Sequence, residues 1–408
     1  MDNTFEKQVV EQMGMVYLIK YSEAKYKSTA HAKKALENAL KDSGLNVRYV
    51  EENETMHALE AVPEQVTPMT VHPEQDWQYN MINASQAWDV TSGSSATKVA
   101  VLDTGIDSSH QSLSNFVDTS LGKSFVGGDT ADRQGHGTHV AGTIASYGNV
   151  SGVMQEATLI PVKVLGDDGK GSMYGIQQGI TYAASIDADV VNMSLGGGSY
   201  NQGMEEAIIT ANNQGTIVVA ATGNDGVQNV SYPAAYDAAI AVGSVTSSES
   251  RSYFSNYGHE LDIVAPGSNI YSTTPGGNYD KFSGTSMATP HVAGVLGLMR
   301  SADPSVTVSE AKSILNTTAQ PAGPQLEYGN GIVDAYAAVQ EVVGGGTGGG
   351  DNGDGGQEDP QAPAWQSYTW YVAGDVVTYN GKSYVCETSH ISFPGYEPPY
   401  ASYYWSQN

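Results

Sequence analysis

The sequence predicts an α/β fold of three layers, helix–sheet–helix (αβα), with a mostly parallel sheet in the middle. Three observations predict it. Runs such as Lys98-Val-Ala-Val-Leu102, Asp189-Val-Val-Asn-Met-Ser-Leu195 and Thr216-Ile-Val-Val-Ala-Ala221 are apolar almost throughout and do not alternate. That is the pattern of strands covered on both faces. Stretches with helical spacing separate the runs. An acid, Asp103, closes the first run, and the ends of parallel strands are where open α/β sheets place their chemistry.

In chain order, residues 15–62 look like a small α+β unit of their own. Met15-Val-Tyr-Leu-Ile-Lys-Tyr21 is strand-like. Ala32, Ala35, Leu36 and Leu40 mark one helical face, with Gly44 just past its end. Leu45–Val50 and His57–Val62 read as further strands around a polar turn, Glu51–Glu54. Pro63 to Gln75 is a proline-punctuated linker. Then strands and helices alternate: a strand at Leu159–Leu165, a helix at Met173–Ile186, and a helix striped by Met204, Ile208 and Ala211 that stops at Gly215. Gly344 to Pro363 is glycine-rich and then acidic, the composition of a flexible linker. The remaining tail is rich in aromatics. Asp375-Val-Val-Thr-Tyr379, Asn380-Gly381 and Ser383-Tyr-Val-Cys386 read as a β-hairpin with an Asn-Gly turn, part of a small all-β module. The boundaries expected are 1–75, 76–342, 343–362 and 363–408.

Composition limits the function. A chain of 408 residues is expected to hold two or three domains. Its formal charge of −26, with only 18 Lys and Arg, argues against nucleic acid or an anionic membrane as partner. It suits a neutral or basic substrate. One cysteine, Cys386, excludes an intrachain disulfide. No apolar run approaches the roughly 18 residues of a spanning helix. Met1-Asp-Asn-Thr-Phe-Glu lacks the basic and apolar regions of a secretory signal.

Chemistry concentrates in Phe282-Ser-Gly-Thr-Ser-Met-Ala-Thr-Pro-His291, which precedes the apolar run Val292–Met299. Proline favours a helix's first turn. Pro290 therefore predicts Ser286 at or just before a helix N-terminus, where unpaired N–H groups favour an oxyanion. Taken singly, Ser286 is a helix cap, Asp103 a strand-end cap, and His136, in Gly135-His-Gly-Thr-His-Val-Ala-Gly142, a core histidine.

Together, Asp103-Thr-Gly-Ile106, His136-Gly-Thr-His-Val-Ala-Gly-Thr143 and Gly284-Thr-Ser-Met-Ala-Thr-Pro-His291 resemble the three signature blocks of the subtilisin-like serine proteases, in that family's chain order. The resemblance runs from about Trp77 to about Gln340. It implies Ser286 as nucleophile, His136 as general base and Asp103 as its orienting acid, with Asn224 as oxyanion donor beside the Ser286 N–H. His139 is read as packed. Substrate would lie as a strand between Gly169-Lys-Gly171 and Ser194-Leu195-Gly196, with Gly223, Ser231 and Tyr232 lining the first pocket and Asp225 at its rim. Large apolar residues are expected before the cut bond. The N-terminal unit resembles a shortened subtilase propeptide, cut between Pro68 and Gln75. No cofactor is needed for the chemistry. Structural calcium is expected as possible, but the tight site's aspartate is Ser112 here and its loop is reduced to Ser146-Tyr-Gly-Asn-Val150; carbonyls of Ala234, Tyr236 and Ala239 are the remaining candidate.

The tail resembles the small chitin-binding modules (carbohydrate-binding family 5/12) in Ala364-Trp365-Gln366, Tyr371, Gly374-Asp375, Val377–Cys386, His390, Gly395-Tyr-Glu-Pro398 and Trp405. Trp365, Tyr384 and Trp405 are read as core, and Tyr396 as the sugar platform. The combined expectation is a secreted, monomeric endopeptidase docked to chitin or a similar polysaccharide, its signal peptide not part of this chain. The rival is an inactive polysaccharide-binding protein.

Overall fold

Strands apolar on both faces need cover on both sides, and the fold supplies it. The computed structural model describes residues 5–10, 14–19, 28–41, 48–59 and 73–345 and, in the tail, 365, 370–371, 376–379, 382–387, 390–391, 397–399, 401 and 404–407. The chain divides into two units, Met1–Gly346 and Thr347–Asn408.

The first unit opens with β1 (Phe5–Val10), β2 (Gly14–Ile19), α1 (Thr29–Lys41) and β3 (Thr55–Ala58). After it come α2 (Pro73–Met81), α3 (Ala84–Trp88), β4 (Gly93–Asp103), β5 (Lys123–Ser124), α4 (His136–Ile144), β6 (Glu156–Lys163), β7 (Lys170–Ser172), α5 (Met173–Ser185), β8 (Val190–Met193), β9 (Leu195–Gly196), α6 (Gln202–Asn213) and β10 (Ile217–Ala221). The unit closes with β11 (Ile240–Val245), β12 (Ile263–Pro266), β13 (Ile270–Thr274), β14 (Asn278–Phe282), α7 (Thr285–Ala302), α8 (Val308–Thr318), α9 (Gln325–Tyr328) and α10 (Ala335–Gly345).

The central sheet has seven strands in the order β12-β11-β10-β8-β4-β6-β5, every pairing parallel. Period-2 alternation splits each strand between two cores. Val99 and Val101 of β4 join α4, α7 and α10 on one face. Ala100 and Leu102 join α5 and α6 on the other. This is the three-layer arrangement expected, with both faces dry, and it leaves the C-terminal strand ends to carry Asp103 and the loops after β8 and β10.

The N-terminal segment is not a free-standing unit as expected. β3 leaves it and pairs antiparallel with β7 and β9 of the larger body. Residues 48–54 are not the strand and turn foreseen; their side chains serve helix ends. Glu51 accepts from the first two N–H groups of α6, Gln202 at 2.6 Å and Gly203 at 2.9 Å. Asn53 and the Glu54 carbonyl accept from Tyr174 N and Met173 N of α5 at 2.7 and 2.8 Å. Asn201 and Ser172 cap the next N–H of each helix. Orphan donors of two helices, which must find acceptors, thus find them on residues 51–54. Arg48 and Tyr49 add bonds to Glu206 at 2.8 and 2.9 Å.

α7 starts at Thr285, earlier than Pro290 implies, so Pro290 lies inside the helix. Its missing N–H leaves the Ser286 carbonyl without a helical partner. The Ser194 hydroxyl donates to that carbonyl instead, at 2.8 Å. A proline read as a start signal is tolerated because a neighbouring loop fills the gap it makes.

In the second unit, β15 (Trp370–Tyr371) pairs with β18 (His390–Ile391), and β16 (Val376–Tyr379), β17 (Lys382–Cys386) and β19 (Trp405–Gln407) form a small antiparallel sheet. Tyr379 pairs with Lys382, the register an Asn-Gly turn requires. Tyr384 and Trp405 are buried with Tyr371, Val377 and Cys386, and Trp365 packs edge-on to Tyr379. Tyr396 lies outside the described residues.

Candidate active site

Each expected residue is delivered by a sheet edge or a helix start. Asp103 is the last residue of β4, and His136 the first of α4. The two are buried, and His136 Nδ1 donates to both carboxylate oxygens of Asp103, at 2.8 and 3.0 Å. Its Nε2 is buried and faces the Leu59 backbone. Burial disfavours the imidazolium, but the charge and hydrogen bond of Asp103, with the charge of Asp132, outweigh it and raise the His136 pKa above its usual value. His139 is the opposite case: burial holds it neutral, down to about 3, while it stacks on Phe282 and bonds the Ile270 carbonyl. It is packed, as its position implied.

Ser286 sits in the first turn of α7, and its hydroxyl lies 2.9 Å from a carbonyl oxygen that belongs to Leu59. Asn224 Nδ2 approaches the same oxygen at 3.4 Å. The Leu59 carbonyl therefore lies beside both the hydroxyl that would attack it and the Asn224 amide, a donor aimed where an oxyanion would form. Leu59 is upstream of the 68–75 stretch expected to be cut.

The strand leading to Leu59 lies between the two edges foreseen for substrate. Met56 pairs with Gly171, His57 with Lys170 and Gly196, and Ala58 with Leu195, while Ala58 N donates to Gly169 O at 2.8 Å. This is strand addition to exposed sheet edges. A Cβ on Gly196 would press on the Leu59 methyl carbons at 3.2 and 3.3 Å, and one on Gly171 would come within 2.2 Å of the Val164 carbonyl, so the packing beneath that edge requires glycine there. Gly223, at φ 109°, is closed in by Asn256 and Ser231. Ser231 N bonds Thr222 O at 2.9 Å, and the Tyr232 carbonyl accepts from Gly197 N at 3.0 Å. Asp225 is exposed and bonds Asn256.

Sequence reasoning passed over the residues that hold these groups. Thr285 donates through N and Oγ1 to Asn224 Oδ1. Asn256 Oδ1 accepts from Asp225 N and Val227 N, which shapes the loop carrying Asn224. Gln134 accepts from His136 N. Only Thr285 had a signal, its place within the Ser286 block.

Ser112, which stands where the tight calcium site's aspartate was expected, and two of the three candidate carbonyls, those of Tyr236 and Ala239, are already bonded within the chain. The Ser112 hydroxyl is bonded to Tyr279 at 2.8 Å, and its carbonyl accepts from Tyr147 N. Of the carbonyl set, Tyr236 O accepts from Ala239 N, and Ala239 O accepts from the Lys312 ammonium at 3.0 Å. That ammonium also reaches Asp237 O at 3.2 Å and Asp262 at 3.1 Å, so a cation of the chain itself already stands there. Among the described residues no group of three or more His, Cys, Asp or Glu is arranged to hold a metal.

Residues 94–331 match the model of the subtilase family. The chain belongs to that family. Subtilisin BL of Lederbergia lenta is 45% identical over 269 residues, 65% of this chain and 98% of its own length. Thermitase of Thermoactinomyces vulgaris is 44% identical over 265 residues, 64% of this chain and 94% of its own. The thermostable alkaline protease of Halalkalibacterium halodurans is 42% identical over 313 residues, 76% and 81% of the two chains. The subtilase described here is a subtilisin-like serine endopeptidase. Its residues 364–406 match carbohydrate-binding module family 5/12. No helix among the described residues is long and apolar enough to cross a membrane.

Proposed function

We propose that the protein is a secreted endopeptidase, made as a self-inhibited precursor, that cuts after large apolar residues and is held on chitin or a similar polysaccharide by its tail. Ser286 Oγ adds to the substrate carbonyl carbon while His136 Nε2 takes its proton. Asp103 holds the imidazole in that tautomer and stabilises the imidazolium. Asn224 receives the oxyanion. The C–N bond breaks, the amine leaves with the proton from His136, and water repeats the sequence on the acyl-enzyme. Gly169–Gly171 and Ser194–Gly196 bind the substrate backbone; Gly223, Ser231 and Tyr232 enclose the side chain before the cut bond.

The observation that carries this reading is the Leu59 carbonyl, 2.9 Å from the Ser286 hydroxyl at the end of an inserted strand. The bond it presents is Leu59–Glu60, so we assign residues 1–59 as the inhibitory segment, with 60–75 leading into the peptidase. Wild-type full chain should shorten to a product beginning at Glu60, and Ser286→Ala should stay intact. A first product beginning between residues 68 and 75, or equal shortening of both chains, overturns the assignment. Succinyl-Met-His-Ala-Leu-p-nitroanilide, copied from residues 56–59, should be cut faster than the same peptide ending in Asp.

Targeting rests on the tail's family match and its aromatic content. An extracellular polysaccharide is its natural surface, which supports secretion. Depletion onto insoluble chitin should be lost when the chain is cut after Gly350 and reduced in Tyr396→Ala, with peptide hydrolysis unchanged. The inactive-binder reading has no support in a site whose Asp103, His136, Ser286 and Asn224 are all present.

A further inference from the structure

One buried carboxylate is used by none of these steps. Asp132 is 6% exposed, four residues before His136. Its Oδ1 accepts from Thr104 Oγ1 at 2.9 Å, Gln134 N at 3.0 Å and Gly135 N at 2.9 Å. Its Oδ2 accepts from Thr138 N at 2.9 Å and Thr138 Oγ1 at 2.6 Å. Two of these partners reach the other side of the site. Thr104 follows Asp103, donates its N–H to Asp103 Oδ1 at 2.7 Å, and accepts from Gly137 N at 2.9 Å. The Thr138 hydroxyl accepts from Asp107 N at 3.0 Å. One carboxylate thus ties the strand end that carries Asp103 to the helix start that carries His136, through two hydroxyl bridges. The packing between them is tight: a Cβ on Gly137 would come within 2.2 Å of the Gly105 carbonyl and 3.1 Å of Asp103 Cβ.

We propose that Asp132 is a positioning residue, fixing Asp103 and His136 in register and holding a second negative charge beside the imidazole. The proposal rests on the reading of Asp103, His136 and Ser286 as the catalytic set. A carboxylate suits the place because all five neighbours donate. An asparagine, in either orientation, would turn an NH₂ toward a backbone N–H. Small displacements of a proton-relay pair are costly in rate, and every charge near an imidazole moves its titration. The groups that bear on His136 are Asp103 from β4, Asp132 from the loop before α4, His139 on α4 and, while the inhibitory strand is in place, the Leu59 carbonyl. Lys163 stands further off, its ammonium on the Thr104 carbonyl and Asp167.

The test compares Asp132→Asn, Thr104→Val and Thr104→Ser in enzyme activated from the full chain, with rates normalised by serine-directed phosphonate titration. Asp132→Asn should lower kcat about tenfold or more with KM nearly unchanged, the mark of an interaction felt in the transition state. It should also move the acid limb of kcat/KM to lower pH, because a charge favouring the imidazolium is gone. Thr104→Val, which breaks a bridge and keeps the charge, should lower kcat without moving the limb. Thr104→Ser should restore it. A wild-type kcat in Asp132→Asn, or a fall in kcat with the limb unmoved, overturns the proposal. If Asp132→Asn does not fold, the Thr104 pair decides: a Val variant as active as the Ser variant overturns it. In that event Ser286→Ala, inactive under the same conditions, would leave the catalytic reading standing.

Discussion

Thr285 holds the Asn224 side chain by its oxygen: the backbone N–H and the hydroxyl of Thr285 both reach Asn224 Oδ1 at 2.9 Å. An amide with its oxygen so occupied must turn its NH₂ the other way, toward Leu59 O. The donor is oriented before any charge develops, which is how such sites avoid reorganisation during reaction.

The first prediction follows from that bond. Thr285→Val removes one of the two restraints, a contribution of about 0.5–1.5 kcal/mol for an ordinary hydrogen bond. kcat should fall roughly 2–10-fold with KM little changed. Asn224→Ala should fall further, by about 10²–10³, the loss that subtilisin itself shows when this donor is removed. Steady-state kinetics on a soluble peptide would separate them; equal losses would mean that Thr285 acts through more than Asn224.

A second concerns pH. His136 must be neutral to accept a proton; its pKa is raised by Asp103, Asp132 and the Leu59 carbonyl against burial, and the two carboxylates remain when the inhibitory strand has left. The acid limb of kcat/KM should therefore fall above about pH 6.5, the ordinary histidine value. A limb well below that value would contradict the electrostatics described.

Stability should also fall toward acid pH, through histidines whose pKa is lowered. Burial lowers the pKa of His291 to about 4 and that of His139 to about 3. An unfolded chain takes up these protons near pH 6.5, and the native state refuses them. Their contribution is complete above about pH 6.5 and is lost as pH falls toward 4, at up to about 1.4 kcal/mol per pH unit for each group. Thermal unfolding of phosphonate-inhibited enzyme between pH 7 and 4.5 would show this, and His291→Gln should reduce the slope by about one proton.

The fourth prediction concerns the inhibitory segment. Glu51 caps α6 with two charge-assisted bonds at the positive end of the helix dipole. Caps of this kind contribute about 1–2 kcal/mol. A synthetic peptide covering residues 48–59 should inhibit the mature enzyme, and Glu51→Ala in that peptide should raise its Ki about 5–30-fold. An unchanged Ki would mean that the inserted strand alone accounts for binding.

The parts of this protein that sequence determined by itself are those whose physics is local. β4, β8 and β10 are legible because a strand buried on both faces must be apolar throughout. Asp103, His136, Ser286 and Asn224 are legible only through blocks that resemble those of the subtilases, since singly they read as caps, a core histidine or a loop residue; the tail's aromatic core is legible because so small a module has few other residues to bury. Tertiary structure decided the rest, through partners distant in sequence. Nothing in Thr55–Leu59 marks it as the occupant of the cleft, since its hydrogen bonds go to β7 and β9, which flank it only when the larger sheet has formed. Pro290 is a helix start by local rule and a helix interior in fact, because the Ser194 hydroxyl supplies the bond that its nitrogen lacks. The Ala239 carbonyl takes an ammonium from α8 where a metal was considered. A hydrogen-bonding group states in the sequence only that it needs a partner; which partner it finds is settled by the packing of segments that the chain itself keeps far apart.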